Sequence, residues 1–259
     1  MMEKYIKDFV VISNDWLNQR HVLLKLRPKD GDLPQMRPGQ FVQVRADGAA
    51  DTFLRIPISI NFVERENGLL WLLIQVVGEG TRALSQVKSG DIVNLLLPLG
   101  NGFTTEGLKG RMLLVGGGVG TAPMLMLGHT LKERGLDITF LLGARTGDAV
   151  LERQLFEAMG RLLITTEDGS LGERGFVTQH TALQSERFDK VFVCGPKPMM
   201  MAVARYAKEK NVDCEVSLEN MMACGLGACL CCVEKTVAGN VCVCKEGPVF
   251  NINQLTWQI

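Results

Sequence analysis

The sequence predicts a chain of three parts, which combine β with α/β structure: an antiparallel β-barrel, a parallel-sheet domain covered by helices, and a cysteine-rich C-terminal segment. Three observations support this division. Short apolar runs separated by turn formers fill the first part. Strand-like and helix-like runs then alternate, and half of the eight cysteines fall within nine residues near the end. We expect the three domains to span residues 1–104, 105–212 and 213–259.

The first part contains six predicted strands rich in Val, Ile, Leu and Phe. They cover residues 5–12, 21–26, 40–45, 54–63, 69–77 and 91–97. Turn sequences such as Lys29-Asp-Gly-Asp and Glu66-Asn-Gly separate them. One helical pattern, near residues 81–87, interrupts the series. Six short strands with this punctuation favour an antiparallel barrel or sandwich.

The pattern changes at Gly110, where apolar strands begin to alternate with helices. The predicted strands cover 111–115, 138–142, 162–165, 190–193 and 214–218. The predicted helices follow Pro123 to about residue 134 and cover 151–159, 176–183 and 196–210. Such alternation is typical of a parallel sheet with helices on both faces.

Composition limits the function classes. The 259 residues are 46% hydrophobic, and 28 Lys and Arg balance 28 Asp and Glu, so nothing indicates nucleic acid or an anionic membrane as partner. The N-terminus lacks the apolar core of a signal peptide, and no run approaches about 18 apolar residues. Eight cysteines without an export signal indicate thiol or metal chemistry in a reducing compartment, so we expect a cytoplasmic protein. The three histidines are scattered along the sequence, which argues against a Ser/His/Asp catalytic triad, and we assign no catalytic side chain.

Four cysteines carry the sharpest motif. Cys224, Cys229, Cys232 and Cys244 have the spacing C-x4-C-x2-C-x11-C, which is that of a plant-type [2Fe–2S] cluster. Glycines between the first two let the backbone wrap around an inorganic core. A zinc site, which prefers paired CxxC knuckles, and a disulfide framework are the alternatives. Cys231 and Cys242 are second-choice ligands because they change the spacing.

Glycine-rich turns indicate phosphate sites. The loop Gly116-Gly117-Gly118-Val-Gly120-Thr121 joins a strand to a helix, where a pyrophosphate can approach the backbone. It lacks the full G-x-G-x-x-G, so a tight βα turn is the alternative. Cys194-Gly195-Pro196 ends another parallel strand, at the edge where ligands gather, although Cys194 also suits a buried apolar position. Gly80-Thr81 opens the barrel helix as a second phosphate site. Arg55 and Ser59 are also candidate ligand-binding residues, and the alternative is that they form the polar face of a surface strand.

Taken in order, these motifs resemble a known family over essentially the whole chain. Besides the motifs above, the resemblance is carried by Arg37-Pro-Gly-Gln-Phe41, Pro57-Ile-Ser59, Leu97-Pro-Leu-Gly-Asn-Gly102 and Ser217-Leu-Glu219. The chain is similar to the electron-transfer subunits of class 1B dihydroorotate dehydrogenase, within the ferredoxin–NADP⁺ reductase superfamily. The resemblance implies bound FAD and a [2Fe–2S] cluster. It also implies a heterotetramer with an FMN-containing catalytic subunit that oxidises dihydroorotate in pyrimidine (UMP) synthesis, with NAD⁺ as the final electron acceptor.

The resemblance also assigns binding residues. It implies that FAD is bound by Arg55, Ile56, Pro57, Ile58, Ser59, Leu73, Ile74, Gln75, Gly80 and Thr81. It implies that NAD is bound by Gly116, Gly117, Gly118, Gly120, Thr121, Cys194, Gly195 and Pro196. The implied ligands of the cluster are Cys224, Cys229, Cys232 and Cys244. The chain departs from the family at Ile56, where a second Arg is usual, and at Leu230-Cys231, where a small residue commonly precedes the third ligand.

Two other functions stay open. One is an FAD/[2Fe–2S] reductase subunit of a hydrogenase or of a ferredoxin:NAD(P)⁺ complex. The other is a zinc-bearing binding module without redox activity. The resemblance favours NAD over NADP, although Arg145, after the 138–142 strand, could serve a 2′-phosphate.

Overall fold

The computed structural model describes residues 3–49 and 52–259, so residues 1, 2, 50 and 51 of the predicted barrel range lie outside the described part. The first part is a closed antiparallel barrel with strand order β1-β2-β5-β4-β3-β6. Its strands are β1 (Tyr5–Asn18), β2 (His21–Pro28), β3 (Phe41–Val44), β4 (Ile56–Glu64), β5 (Leu69–Gln75) and β6 (Ile92–Leu99). Helix α1 (Glu79–Leu84) connects β5 to β6. The predicted barrel is confirmed.

Side chains alternate along each barrel strand, so one face of the strand packs into the barrel core and the other face packs outward. On β2, Val22 and Leu24 belong to the barrel core, whereas Leu23 between them packs outward. The outward residues of β2 and β5 meet the second domain, since Leu23 and Leu73 share a buried group with Ala122 and Leu151. The barrel wall is therefore also a domain interface.

The second domain, called here the nucleotide domain, is built on a seven-stranded sheet with order β10-β9-β8-β7-β11-β12-β15, in which β15 (Val249–Asn251) comes from the C-terminal segment. Its parallel strands are β7 (Arg111–Gly117), β8 (Asp137–Ala144), β9 (Arg161–Thr166), β10 (Glu173–Arg174), β11 (Lys190–Cys194) and β12 (Asp213–Ser217). Its helices are α2 (Ala122–Glu133), α3 (Arg153–Met159), α4 (Ala182–Ser185) and α5 (Lys197–Glu209). The strand order reverses between β7 and β11, which is where open α/β sheets bind ligands.

The C-terminal segment returns to this sheet. A hairpin, β13 (Val233–Thr236) with β14 (Gly239–Cys242), leads to α6 (Val243–Glu246) and to β15 (Val249–Asn251). Strand β15 pairs antiparallel with β12. Phe41 and Leu99 of the barrel, Val115 and Val193 of the sheet, and Cys232 and Cys244 lie in one continuous apolar core. The cysteine segment is thus fixed to both domains.

The structure differs from the predicted elements in an extended strand, a broken helix and several unpredicted elements. Strand β1 runs six residues beyond the predicted end because the stretch from Ser13 to Asn18, which is mostly polar, pairs with β2 through two bulges. The predicted 176–183 helix is wrong: a 3₁₀ turn, Val177–Gln179, and α4 replace it, because His180 breaks the helix with ψ 131°. Strands β10, β13, β14 and β15 and helix α6 were not predicted. The three domain ranges stay a prediction, and the sheet continues past residue 212 through β12 and β15.

Among the helices in the described residues, none has the length and apolar character needed to cross a membrane.

Candidate functional site

The four predicted ligand cysteines come together around residues 223–232, called here the thiol loop. The amide of Leu226 donates to Cys224 Sγ at 3.3 Å, and that of Gly227 donates to Cys244 Sγ at 3.1 Å. The Cys244 amide donates to Cys232 Sγ at 3.4 Å. Gly225 and Gly227 have φ of 69° and 83°, values that favour glycine, so the loop curls with its amides toward the sulfurs.

The amide donors around Cys224 favour its charged form. Burial raises the pKa of this thiol, but donors from Leu226, Cys229 and Ala228 outweigh it and lower the pKa to about 6. Iron binds the thiolate, so the lowered pKa of Cys224 fits a cluster ligand, whereas burial and the neighbouring Cys232 raise the pKa of Cys244 to about 12. Among the described residues, no three or more His, Cys, Asp or Glu side chains are grouped around a single metal-ion position. A two-iron cluster divides its four thiolates between two irons.

The two second-choice cysteines lie beside the predicted ligands. Cys231 is exposed, as the predicted ligand Cys229 is, and follows Leu230, whose φ is 59°. Cys242 lies against the thiol loop, where its thiol donates to Gly227 O at 3.7 Å. Burial and then the neighbouring Cys232 raise the pKa of Cys242, so this thiol keeps its proton as a hydrogen-bond donor. The donor set and the amides fit a cluster at Cys224, Cys229, Cys232 and Cys244.

The thiol loop rests on the outer face of barrel strand β3. A Cβ at Gly225 would lie 3.0 Å from Gln43 Cγ and 3.0 Å from Leu99 Cδ1. Gln43 Nε2 also donates to Ala223 O at 3.4 Å. Gln43 is opposite Pro57 in the β3–β4 pairing. Paired strands are about 4.8 Å apart, so the predicted flavin residues of β4 lie one strand away from the thiol loop.

The predicted flavin residues divide by the face they occupy. Ile56 and Ile58 pack against the barrel core, so Pro57 and Ser59 point outward. Ile74 lies inside the barrel and Leu73 packs against the nucleotide domain. Gln75, at the end of β5, is half-buried.

The turn at the start of α1 presents backbone groups to a ligand, and few of its side chains could bind one. A Cβ at Gly80 would lie 2.5 Å from Ile56 Cδ1 and 3.0 Å from Thr52 Cγ2, so a larger residue there would require these side chains to move. The Thr81 hydroxyl accepts from the Val77 and Gly78 amides at 2.9 and 3.0 Å and thereby fixes the turn. This glycine cradle fits the close approach of an FAD phosphate to the backbone.

Arg55 is already engaged within the barrel. Its Nη1 donates to the backbone carbonyls of Asn94 at 3.0 Å and Gln43 at 3.4 Å, and its Nη2 donates to the Asn94 side chain. Asn94 in turn donates to Asp8 at 2.6 Å. The guanidinium therefore ties β3 to β6, and neither residue 55 nor residue 56 presents a free guanidinium to the predicted flavin site.

The two predicted NAD loops meet at the switch point of the sheet. Strands β7 and β11 are parallel, with Gly116 opposite Cys194. A Cβ at Gly120 would lie 2.6 Å from Cys194 O and from Gly195 Cα. Gly118, with φ 55°, faces open space and is the first residue of the 3₁₀ turn Gly118–Thr121 that leads into α2. The glycine loop, residues 116–121, thus packs directly on the loop formed by Cys194, Gly195 and Pro196.

Glu219 also belongs to this site, although the sequence did not lead us to assign it there. The Cys194 thiol donates to Glu219 Oε1 at 3.8 Å. Burial raises the pKa of Cys194 well above its usual value, so the thiol keeps its proton, and burial also raises the pKa of Glu219. The signal was present in Ser217-Leu-Glu219, because that motif ends β12 at the same sheet edge as Cys194.

The fold and the sites define a class of two-domain reductases, and comparisons with known proteins agree. Residues 114–205 match the oxidoreductase NAD-binding domain, and residues 219–256 match the iron-sulfur cluster binding domain of dihydroorotate dehydrogenase B. The chain superposes with a TM-score of 0.85 on an NADH-dependent reduced ferredoxin–NADP oxidoreductase studied for flavin-based electron bifurcation, at 33% identity over 96% of this chain and 90% of that one.

Curated relatives narrow the class to a family. The chain is 42% identical to the electron transfer subunit of dihydroorotate dehydrogenase B (NAD⁺) from Clostridium acetobutylicum, over 83% of this chain and 85% of the relative. It is 44% identical to the same subunit from Caldanaerobacter subterraneus subsp. tengcongensis, over 82% and 84%. The chain belongs to the family of dihydroorotate dehydrogenase B (NAD⁺) electron transfer subunits. The predicted family is confirmed.

Proposed function

We propose that this chain transfers electrons from a partner dihydroorotate dehydrogenase subunit to NAD⁺ in pyrimidine (UMP) synthesis. One observation carries the proposal. The thiol loop contacts Gln43, directly beside the strand that bears Pro57 and Ser59. Electron transfer requires closely spaced redox groups, and this contact brings the predicted cluster and flavin residues together.

The chain's own residues bind and orient the groups that react. FAD, when bound, exchanges electron pairs with nicotinamide and single electrons with an iron–sulfur cluster. The thiol loop holds the cluster, and the glycine cradle at Gly80 with the outward face of β4 holds FAD. The glycine loop and residues 194–196 hold NAD. Hydride exchange between nicotinamide and flavin needs no side-chain acid or base, so we assign none.

The partner we propose is an FMN-containing dihydroorotate dehydrogenase, in a cytoplasmic heterotetramer. Around the thiol loop, Met221, Leu226 and Leu230 are 82%, 46% and 65% exposed. Such a group of large apolar side chains beside a redox loop suits a protein interface. Dihydroorotate oxidation then takes place on the partner, and this chain supplies the route to NAD⁺.

A second candidate is an NADH–ferredoxin reductase subunit. The observation that favours it is the 33% identity with the ferredoxin–NADP oxidoreductase chain over nearly the full length. The two candidates differ in the partner that docks at the thiol loop.

Affinity purification of the chain from its native host tests the proposal. We expect an FMN protein to co-purify, and acid treatment of the complex to release FAD and FMN in equal amounts. Recovery of FAD alone, together with a ferredoxin-linked partner, would favour the second candidate. A colourless preparation containing zinc would contradict both.

A further inference from the structure

A polar contact lies buried between the barrel and the nucleotide domain. Asn61, on β4, is fully buried, and its Nδ2 donates to two places in the nucleotide domain. One is Ala122 O at 3.3 Å, at the first residue of α2 directly after the glycine loop. The other is Glu152 Oε2 at 2.8 Å. One barrel amide thus ties down both the start of α2 and the start of α3.

Two oxygens of this contact have no partner in the described part of the chain. They are Asn61 Oδ1 and Glu152 Oε1, both buried. They belong to the same two groups that already share one hydrogen bond. A proton on the carboxyl would let it donate to the amide oxygen, as in a cyclic amide–carboxylic acid pair, and would satisfy both atoms. An ionised carboxyl would leave two buried acceptors unsatisfied.

The Glu152 backbone supports the same assignment. Its φ is 53°, in the left-handed region that a non-glycine residue rarely adopts. It precedes α3 at the N-cap position, yet its side chain makes no capping hydrogen bond. The strained residue therefore uses its carboxyl for Asn61 and leaves the helix end uncapped.

The surroundings favour the neutral carboxyl. The apolar cluster of Leu23, Leu73, Ala122 and Leu151 includes the residue that precedes Glu152 and the residue whose carbonyl Asn61 contacts. Burial is the largest influence and raises the pKa of Glu152 to about 7, against opposing effects of Asn61 and Lys25. Lys25 is the charged group that acts from the barrel, where it lies 4.0 Å above the Trp71 ring. On α3 itself, Arg153 pairs with Glu157 at 2.7 Å.

We infer that Asn61 and Glu152 form a proton-dependent latch that holds the glycine loop against the barrel, closed with a neutral Glu152 and loosened when Glu152 ionises. Both are positioning residues, because they act on the NAD loop through Ala122. The kinetic consequence rests on the proposed NAD site, whereas the consequence for stability does not.

The direction of the pH effect follows from the pKa. The group titrates near 4.5 when unfolded and near 7 when folded, so the latch stabilises the fold fully below about 4.5. That stabilisation is lost as the pH rises through about 7. Glu152→Gln is permanently neutral and keeps both hydrogen-bonding positions, so it should be insensitive over this range.

Thermal unfolding of the purified FAD-loaded chain between pH 5 and pH 8.5 tests the latch. The midpoint of Glu152→Gln should match wild type near pH 5 and exceed it by several degrees above pH 7.5. Glu157→Gln, an exposed neighbour on α3, should follow wild type throughout. A difference between Glu152→Gln and wild type that is constant with pH, or of opposite sign, would overturn the latch.

Steady-state NADH oxidation with an artificial acceptor tests the positioning role separately. In wild type, KM for NADH should rise severalfold between pH 6 and pH 8.5 while kcat changes less. In Glu152→Gln this rise should disappear. If the stability difference is found but KM for NADH varies equally in both proteins, the pair only stabilises the interface and the positioning role is wrong. If NADH is not oxidised at all, the proposed function fails independently of the latch.

Discussion

At the scale of single residues, the thiols are the most direct test of the site. Replacing Cys224, Cys229, Cys232 or Cys244 by Ser should abolish or severely reduce the visible absorbance of the cluster, because a hydroxyl is a poor iron ligand. Cys231→Ser and Cys242→Ser are matched controls and should keep the spectrum. Loss of the cluster in Cys231→Ser with retention in Cys232→Ser would show that the ligand register is wrong.

Ile56 is the residue at which a substitution should raise the affinity of the chain for FAD. Its side chain lies against Gly80, so an arginine there would place a guanidinium at the predicted phosphate cradle. We expect Ile56→Arg to strengthen FAD binding by about 1.5–3 kcal/mol, up to about a hundredfold in Kd. Titration of apoprotein with FAD measures this, with Ile56→Met as the apolar control. Equal Kd values for the two variants would show that backbone contacts alone hold the phosphates.

At the scale of elements, the contact between the two NAD loops should be intolerant of added volume. Gly120→Ala would place a Cβ 2.6 Å from Cys194 O, so the loops must separate at a cost of about 1–3 kcal/mol. NADH affinity should fall, as measured by KM, while FAD content stays normal. Gly135→Asn is the control, because Gly135 faces open space and Asn tolerates its left-handed φ of 77°. Unchanged KM in Gly120→Ala would remove the glycine loop from the NAD site.

The elements that could be predicted from the sequence are those specified by residues close together in the chain. The strands of the barrel, the turn from β7 to α2 and the cysteine spacing each depend on neighbouring residues. Strand β15 has three residues and is stabilised by β12, so its own sequence carries almost no signal. The role of Arg55 was also hidden, since its partner Asn94 is 39 residues away. Glu152 gave no sign of its contact with Asn61, because that contact exists only when the two domains pack.

At the scale of the whole molecule, the exposed apolar residues around the thiol loop should bind the partner. Leu226→Glu and Leu230→Glu should disrupt the complex, because each places an unpaired charge in an apolar interface. NADH-dependent dye reduction by the isolated chain should stay intact. Phe176→Glu is the control, since Phe176 is similarly exposed but lies on the nucleotide domain. Size-exclusion chromatography of the co-expressed proteins reports the outcome. A complex that survives both loop substitutions would place the interface elsewhere.

We expect dihydroorotate oxidation and NAD⁺ reduction to be linked only through the assembled protein. The most direct measurement is NADH formation from dihydroorotate and NAD⁺ by the chain alone, by the FMN subunit alone and by the two co-expressed. We expect NADH only from the co-expressed pair, and its loss when any one of the four ligand cysteines is replaced by Ser. Dihydroorotate oxidation by this chain alone, or full NADH formation by a pair that lacks the cluster, would contradict the account.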